Sequence, residues 1–159
     1  MYTNKNYKIE KDFLNYIIHQ DYYKFLKDEL NKYTQHGNTS IFKHSRDVAF
    51  MSYKMGSFFQ NKFNAKIDYK DLIQACYMHD LFMYDWHEKS DWHKLHGFTH
   101  PQTAASNAEK YCNANDKVQS LIKSHMWPLT LTKIPKNKEA WILCLCDKCA
   151  TIIEVFHWH

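Results

Sequence analysis

Turn-forming residues are scarce in this chain, with 3 Gly and 3 Pro among 159 residues. Gly and Pro are the strongest local punctuation of a polypeptide, so so few of them favours long helices over a turn-rich β architecture. Hydrophobic residues at 45% and charges of both signs at 24% can furnish a core and a solvated surface, and the length is that of one ordinary domain. A single all-α bundle over residues 1–159, without linker or repeat, is the expectation.

Periodicity orders that bundle. Residues 10–18 and 21–33 carry Phe13, Tyr16, Ile17, Tyr22, Phe25, Leu26 and Leu30 at helix-compatible intervals, predicting N-terminal helices over about 10–35. Gly37-Asn38-Thr39-Ser40 breaks the pattern. From Ile41 to about Phe59, the residues Val48, Met51, Met55 and Phe58 repeat along one face, which His44 shares. A helix beginning near Asp68 keeps Leu72, Cys76 and His79 at helical spacing and puts the His79-Asp80 pair at its C-terminal end. The stretch from Phe82 to Thr99, dense in Trp, His and Asp, has no period and reads as an irregular lid or pocket segment. Pro101 suits the first residue of a new helix, with Ala104, Ala108 and Tyr111 below His100. A short helix from about Asp116 leads through Val118, Leu121 and Ile122 to His125 and the loop MWPLTLTKIPKN. The last helix starts near Lys138 and aligns Leu143, Asp147, Ala150 and Glu154. No strand-like alternation is evident.

Several function classes are disfavoured. The net charge is +4, but the lysines are scattered and Arg46 is the only arginine, so no basic stripe marks a nucleic-acid groove. No apolar run approaches the roughly 20 residues of a membrane span, and MYTNKNYKIEKDF lacks a signal-peptide pattern. The five cysteines have no framework spacing, as expected of reduced thiols in a cytoplasmic protein.

What remains is a constellation. Four helical segments each turn a His or Asp inward, and none of these residues has an evident local capping task. Buried ionisable groups are costly unless paired or metal-bound, and one cation satisfies several at once. Imidazoles and carboxylates without an obligatory thiolate suit iron, manganese, zinc, nickel or cobalt. Adjacent side chains at a helix end diverge by about 100°, so His79 can face one cation while Asp80 leans between two. Cys144-x-Cys146-x-x-Cys149 is a weaker motif: Cys144 and Cys146 are about 200° apart on a helix and cannot face one ion, so all three read as small core residues. The terminal Phe156-His157-Trp158-His159 is left out of the site.

The order His44, His79-Asp80, Asp147 resembles the H…HD…D signature of the HD superfamily of phosphohydrolases. His100 in HGFTHP and His125 in SHMWP resemble the extra ligands of its binuclear members. The strings MHDLFMYDWH, HGFTHPQTA, HMWPLT and DKCA look like those of small bacterial HD-domain hydrolases, and the likeness covers about residues 40–155. It implies a helical core in which His44, His79, Asp80 and Asp147 hold one cation and Asp80, His100 and His125 a second. Two such cations about 3.5–4 Å apart can share a water, and the resulting hydroxide is the nucleophile.

One position departs from that pattern. Binuclear members often carry a lysine three residues beyond the HD pair, and Met83 stands there in this chain. Lys148, beside Asp147, and Arg46, two residues after His44, are the nearest replacements for gripping phosphate; Arg46 can equally pair with Asp47 or Asp71. Asp85 and His87 are candidates to protonate a leaving oxygen. Trp86, with Trp92, His93 and His96 beyond it, belongs to the lid, and Trp127 to a pocket wall on which a nucleobase can stack. The implied partner is a small phosphorylated substrate, nucleotides among the candidates, with no membrane and no nucleic acid. Two other outcomes stay open on the same ligands: a di-iron centre using dioxygen to cleave a carbon bond, and a non-catalytic sensor module.

Overall fold

The structure is a computed structural model that describes Phe13, residues 20–88 and residues 95–156; the expected helix over 10–18 otherwise lies outside the described residues, as do Trp92, His93 and the terminal His157-Trp158-His159. Among the described residues six helices are arranged as an all-α bundle. α1 (Tyr23–Leu30) buries Leu26 and Leu30 one turn apart. A two-stranded antiparallel hairpin follows, β1 (Thr34–His36) and β2 (Thr39–Ser40). This corrects the expectation of no strands. Gly37 has φ 57 at the first central position of the two-residue turn, a conformation a Cβ would oppose.

α2 (Ile41–Phe63) starts where the Ser40 hydroxyl accepts from Lys43 N at 3.2 Å, an N-cap. Its inward stripe is Ile41, His44, Ser45, Val48, Ala49, Ser52 and Gly56. The helix passes Phe59 because nothing stops it before Asn64, whose φ of 53 is the left-handed conformation that ends a helix. α3 (Tyr69–Met78) is capped by Asp68 and buried continuously from Asp71 to Met78, which makes it the central rod. After it, Leu81 and Phe82 stay in the core and Met83 adopts φ 59.

α4 (His96–Cys112) begins five residues before the expected Pro101, which lies inside it. The Leu95 carbonyl closes the first turn by accepting from Phe98 N (2.8 Å) and Thr99 N (3.1 Å). Pro101 therefore interrupts only the bond its nitrogen would have made to the Gly97 carbonyl. α5 (Asp116–Ser124) is capped by Asn115, whose side chain accepts from Val118 N at 2.9 Å. α6 (Lys138–Phe156) buries Ala140, Leu143, Cys146, Asp147 and Ala150 against α2, α3 and α5. Buried Glu139 ties α6 to α3 by accepting from Asp68 N at 3.0 Å. Cys144 and Cys146 are buried as expected, whereas Cys149 is exposed, because three residues past Cys146 the helix has turned its outer edge to solvent. No helix among the described residues is long and apolar enough to cross a membrane.

Candidate metal centre

The bundle brings six acid and imidazole side chains from five helices or helix ends to one point. His44 lies in the second turn of α2, His79 and Asp80 follow the last turn of α3, and His100 lies in α4. His125 follows α5, and Asp147 is at the middle of α6. All six are buried, none more than 6% exposed.

The hydrogen bonds behind the rings decide what the rings offer in front. His79 Nδ1 is 2.8 Å from the Cys76 carbonyl, His125 Nδ1 is 2.7 Å from the Ile122 carbonyl, and His100 Nδ1 is 2.9 Å from the His96 carbonyl. A carbonyl only accepts, so each Nδ1 carries the proton. His44 Nδ1 faces both oxygens of Glu154 at 3.1 Å and donates to that carboxylate. With Nδ1 protonated, a neutral ring presents a bare lone pair at Nε2. His79 and His125 thus do have a capping task, contrary to expectation, since each satisfies a carbonyl of its own helix's last turn.

The four Nε2 atoms converge on Asp80 and Asp147. Around one oxygen of Asp80, His79 Nε2 is 3.3 Å and His44 Nε2 is 3.8 Å from Oδ2. Asp147 Oδ1 completes that group, 3.2 Å from His44 Nε2 and 3.4 Å from His79 Nε2. The other oxygen, Asp80 Oδ1, is 3.3 Å from His100 Nε2 and 3.8 Å from His125 Nε2. His100 and His125 meet Nε2 to Nε2 at 3.0 Å. Among the described residues, buried His79 Nε2 and Asp80 Oδ1 have no aligned hydrogen-bond partner. Ligand atoms of His44, His79 and Asp147, and of His79, Asp80 and His125, lie within 4.8 Å of one another.

This donor set is electron-rich and fits divalent cations: imidazole nitrogens and carboxylate oxygens face each other at one buried point. Without a cation, protons are what hold it together. Burial opposes charging His44, but hydrogen bonds to Asp147 and Glu154 outweigh it and push its pKa up to about 10. His79 is raised against its burial by the charge of Asp80 and the hydrogen bond to Asp147. His125 goes the other way, lowered to about 3 by burial and by the charges of His79 and His100. Burial works against charge on Asp80 and Asp147 too, yet the imidazoles around them hold both carboxyls far below the usual range.

Two participants, Gln35 and Glu154, were not assigned a role from sequence, and a third, His96, was placed only in the lid. Gln35, on β1, donates from Nε2 to Asp80 Oδ2 at 2.7 Å, while its Oε1 is buried with no partner among the described residues. Glu154 orients His44. His96 stacks on His100 (4.6 Å between centroids, 17° between planes), and its Nδ1 is 2.9 Å from the Tyr84 hydroxyl. Glu154 is legible in retrospect as two turns beyond Asp147 on α6. Gln35 carries no sequence signal.

A cavity of about 710 Å³ opens over the cluster, reaching Asp80, His100, His125 and Asp147 and lined also by Gln35, Trp86, His96, Met126, Leu129, Lys148 and Ile152. Of the candidates beyond the cluster, Trp86 and Lys148 face it. The Lys148 ammonium is engaged by the His125 carbonyl at 2.9 Å. The other four are placed elsewhere. Arg46 is exposed, paired with Asp47 Oδ1 at 2.9 Å, because two residues beyond His44 is about 200° around the helix. Asp85 and His87 pair with each other at 2.9 Å, both more than 40% exposed, and neither lines the cavity. Trp127 packs edge-to-face on Trp141 at 5.0 Å, and its neighbours Met126, Pro128 and Leu129 form the wall instead.

The HD domain family model matches residues 41–152, from the first residue of α2 to beyond Asp147. No curated protein matches the chain, and no solved structure does. The match spans all six clustered side chains, while Gln35 and Glu154 fall outside it on either side. With more than half of its length matched in this way, the chain belongs to the HD domain family.

Proposed function

We propose that this chain is a metal-dependent phosphohydrolase that cleaves a small phosphate ester at the floor of the cavity. The observation that carries the reading is the convergence of four imidazole lone pairs and two carboxylates at a cavity wall with Gln35 as their hydrogen-bond donor. His44, His79, Asp147 and Asp80 Oδ2 would hold one cation, and Asp80 Oδ1, His100 and His125 a second. Bound divalent cations supply a water of lowered pKa and counter-charge for phosphoryl oxygens.

The remaining work falls to the chain's own groups. Glu154 makes His44 a stronger donor and fixes its ring, as outer partners of metal-bound imidazoles do. Gln35 keeps Asp80 from turning and leaves Oε1 to accept from a water or hydroxyl beside it. Lys148 secures the His125 carbonyl, so its charge reaches the cavity wall from a fixed position. His96 takes the place first given to Asp85 and His87. It lines the cavity with Nδ1 2.9 Å from the Tyr84 hydroxyl, whose pKa burial pushes up to about 12, and the useful tautomer is the one in which that phenol donates to Nδ1. That leaves the His96 proton on Nε2, available to a leaving alcohol oxygen.

The test joins metal quantification to a phosphate-release screen over small esters and nucleotides with Mn, Fe, Ni, Co and Zn. Stoichiometric metal with metal-dependent phosphate release is the expected result. Loaded protein that releases no phosphate from any ester would overturn the reading, and iron-specific oxygen uptake in its place would establish the oxidative alternative.

A further inference from the structure

Resting on that phosphohydrolase reading, we infer that the substrate is a monoester carrying a single phosphate on an uncharged, largely apolar alcohol, and not a nucleoside polyphosphate. Away from the His/Asp cluster the cavity walls are mainly apolar, from Trp86, Gly97, Met126, Pro128, Leu129 and Ile152, with Gln35, His96, Thr151 and Lys148 as the polar members. Leu129 and Ile152 are 44% and 54% exposed at its rim, apolar surface that a bound apolar body would cover. The volume of about 710 Å³ is within the range of about 300–1,000 Å³ common for small-molecule sites, so room is not what limits the ligand. Chemistry limits it.

Among the described residues Lys148 is the only cation lining the cavity, and its ammonium is engaged by the carbonyls of His125 and Cys144 at 2.9 and 3.4 Å. A second or third phosphate would leave water for apolar walls without counter-charge, which is strongly unfavourable. A ribose and a base edge would bring more hydroxyls and ring nitrogens than Gln35 Oε1, His96 Nε2 and Thr151 can meet, because Gln35 Nε2 is already committed to Asp80 and His96 Nδ1 to Tyr84. The Trp127 ring, the sequence candidate for stacking on a base, is packed on Trp141 instead. In the reaction, water oxygen bonds to phosphorus as the phosphorus–oxygen bond to the alcohol breaks. The alcohol departs with a proton and hydrogen phosphate remains.

The experiment uses manganese-loaded full-length protein. Calorimetry compares naphthylmethylphosphonate, whose phosphorus–carbon bond resists hydrolysis, with AMP and inorganic phosphate; in parallel, phosphate release from naphthyl and octyl phosphate is compared with that from AMP and ATP. The phosphonate should bind at least about tenfold tighter than AMP or phosphate, with a negative heat-capacity change, as apolar burial requires. Leu129→Asn and Ile152→Asn, both at the exposed rim where folding tolerates change, should each shrink the ratio of phosphonate to phosphate affinity several-fold. AMP binding as tightly as the phosphonate, or a ratio unmoved by both substitutions, overturns the inference. Phosphonate preference without hydrolysis of any ester keeps this ligand class and removes the hydrolase reading; hydrolysis with AMP favoured keeps the hydrolase reading and removes this ligand class.

Discussion

Replacing Glu154 by Gln isolates the carboxylate behind His44. Both Glu154 oxygens lie 3.1 Å from Nδ1, and the side chain is 7% exposed, so water screens the contact poorly. Gln keeps an oxygen that can accept the Nδ1 proton, and what disappears is the charge. A hydrogen bond to a charged group is worth about 1.5–3 kcal/mol against about 0.5–1.5 for a neutral one. The difference of about 1–1.5 kcal/mol is about tenfold in an equilibrium constant, at the low end of the about 10–100-fold typical of outer partners of metal ligands. The loss should fall on the cation held with His44, His79 and Asp147, leaving the Asp80 Oδ1, His100 and His125 set near its parental affinity. Competition against a chromophoric chelator, titrated to two equivalents, resolves the two steps. Equal losses in both, or neither step moving by more than about twofold, would refute the placement of Glu154 behind one half of the centre. Glu154→Ala goes further by leaving a buried donor without an acceptor, and thermal unfolding should register about 1–3 kcal/mol.

Three more outcomes are expected. In chelator-stripped protein, His44 is raised from 6.5 to about 10, so its contribution to stability is complete below pH 6.5 and is lost as pH rises towards 10. His125, brought down to about 3, is neutral in the fold and costs stability as pH falls below 6.5; melting temperature should therefore peak near neutral pH, and a monotonic rise to pH 10 would contradict the pairing. His96→Gln should lower turnover by about 100-fold at unchanged metal content, whereas His87→Gln, at an exposed pair outside the cavity, should stay near the parental rate; the reverse order in steady-state assays would return the proton donor to His87. Gln35→Ala should weaken metal binding by about tenfold through loss of the donor to Asp80, measured by the same chelator competition.

How far the sequence could be read depended on whether a position was fixed by its own helix. His44, His100 and Asp147 sit on apolar faces whose 3.6-residue repeat is visible without a structure, and His79 and His125 end such faces. The chain order of six residues therefore carried the architecture around the candidate site. Proximity in sequence was a poorer guide to what else faces it. Arg46 follows His44 by two residues and points to solvent; Trp127 follows His125 by two and packs on Trp141. Gln35 reaches Asp80 only because a hairpin folds over, a tertiary event that no local pattern announces. The early start of α4 was hidden by Pro101, which reads as a helix opening yet is accommodated near one, and this concealed His96 as a helical neighbour of His100.

The carbonyl bonds of His79, His100 and His125 make ring orientation a property of the helices themselves. Turning either terminal ring over would strip a helix end of its acceptor's partner and present carbon in place of nitrogen to the centre, so the two failures occur together. Ordering a side chain at the moment of binding commonly costs about 0.5–1.5 kcal/mol, and for these rings that entropy is already lost when the helices form. An arriving cation would meet donors that are aimed before it comes. Metal loading of the folded chain should consequently be limited by access through the cavity and by release of protons, with little rearrangement of the backbone.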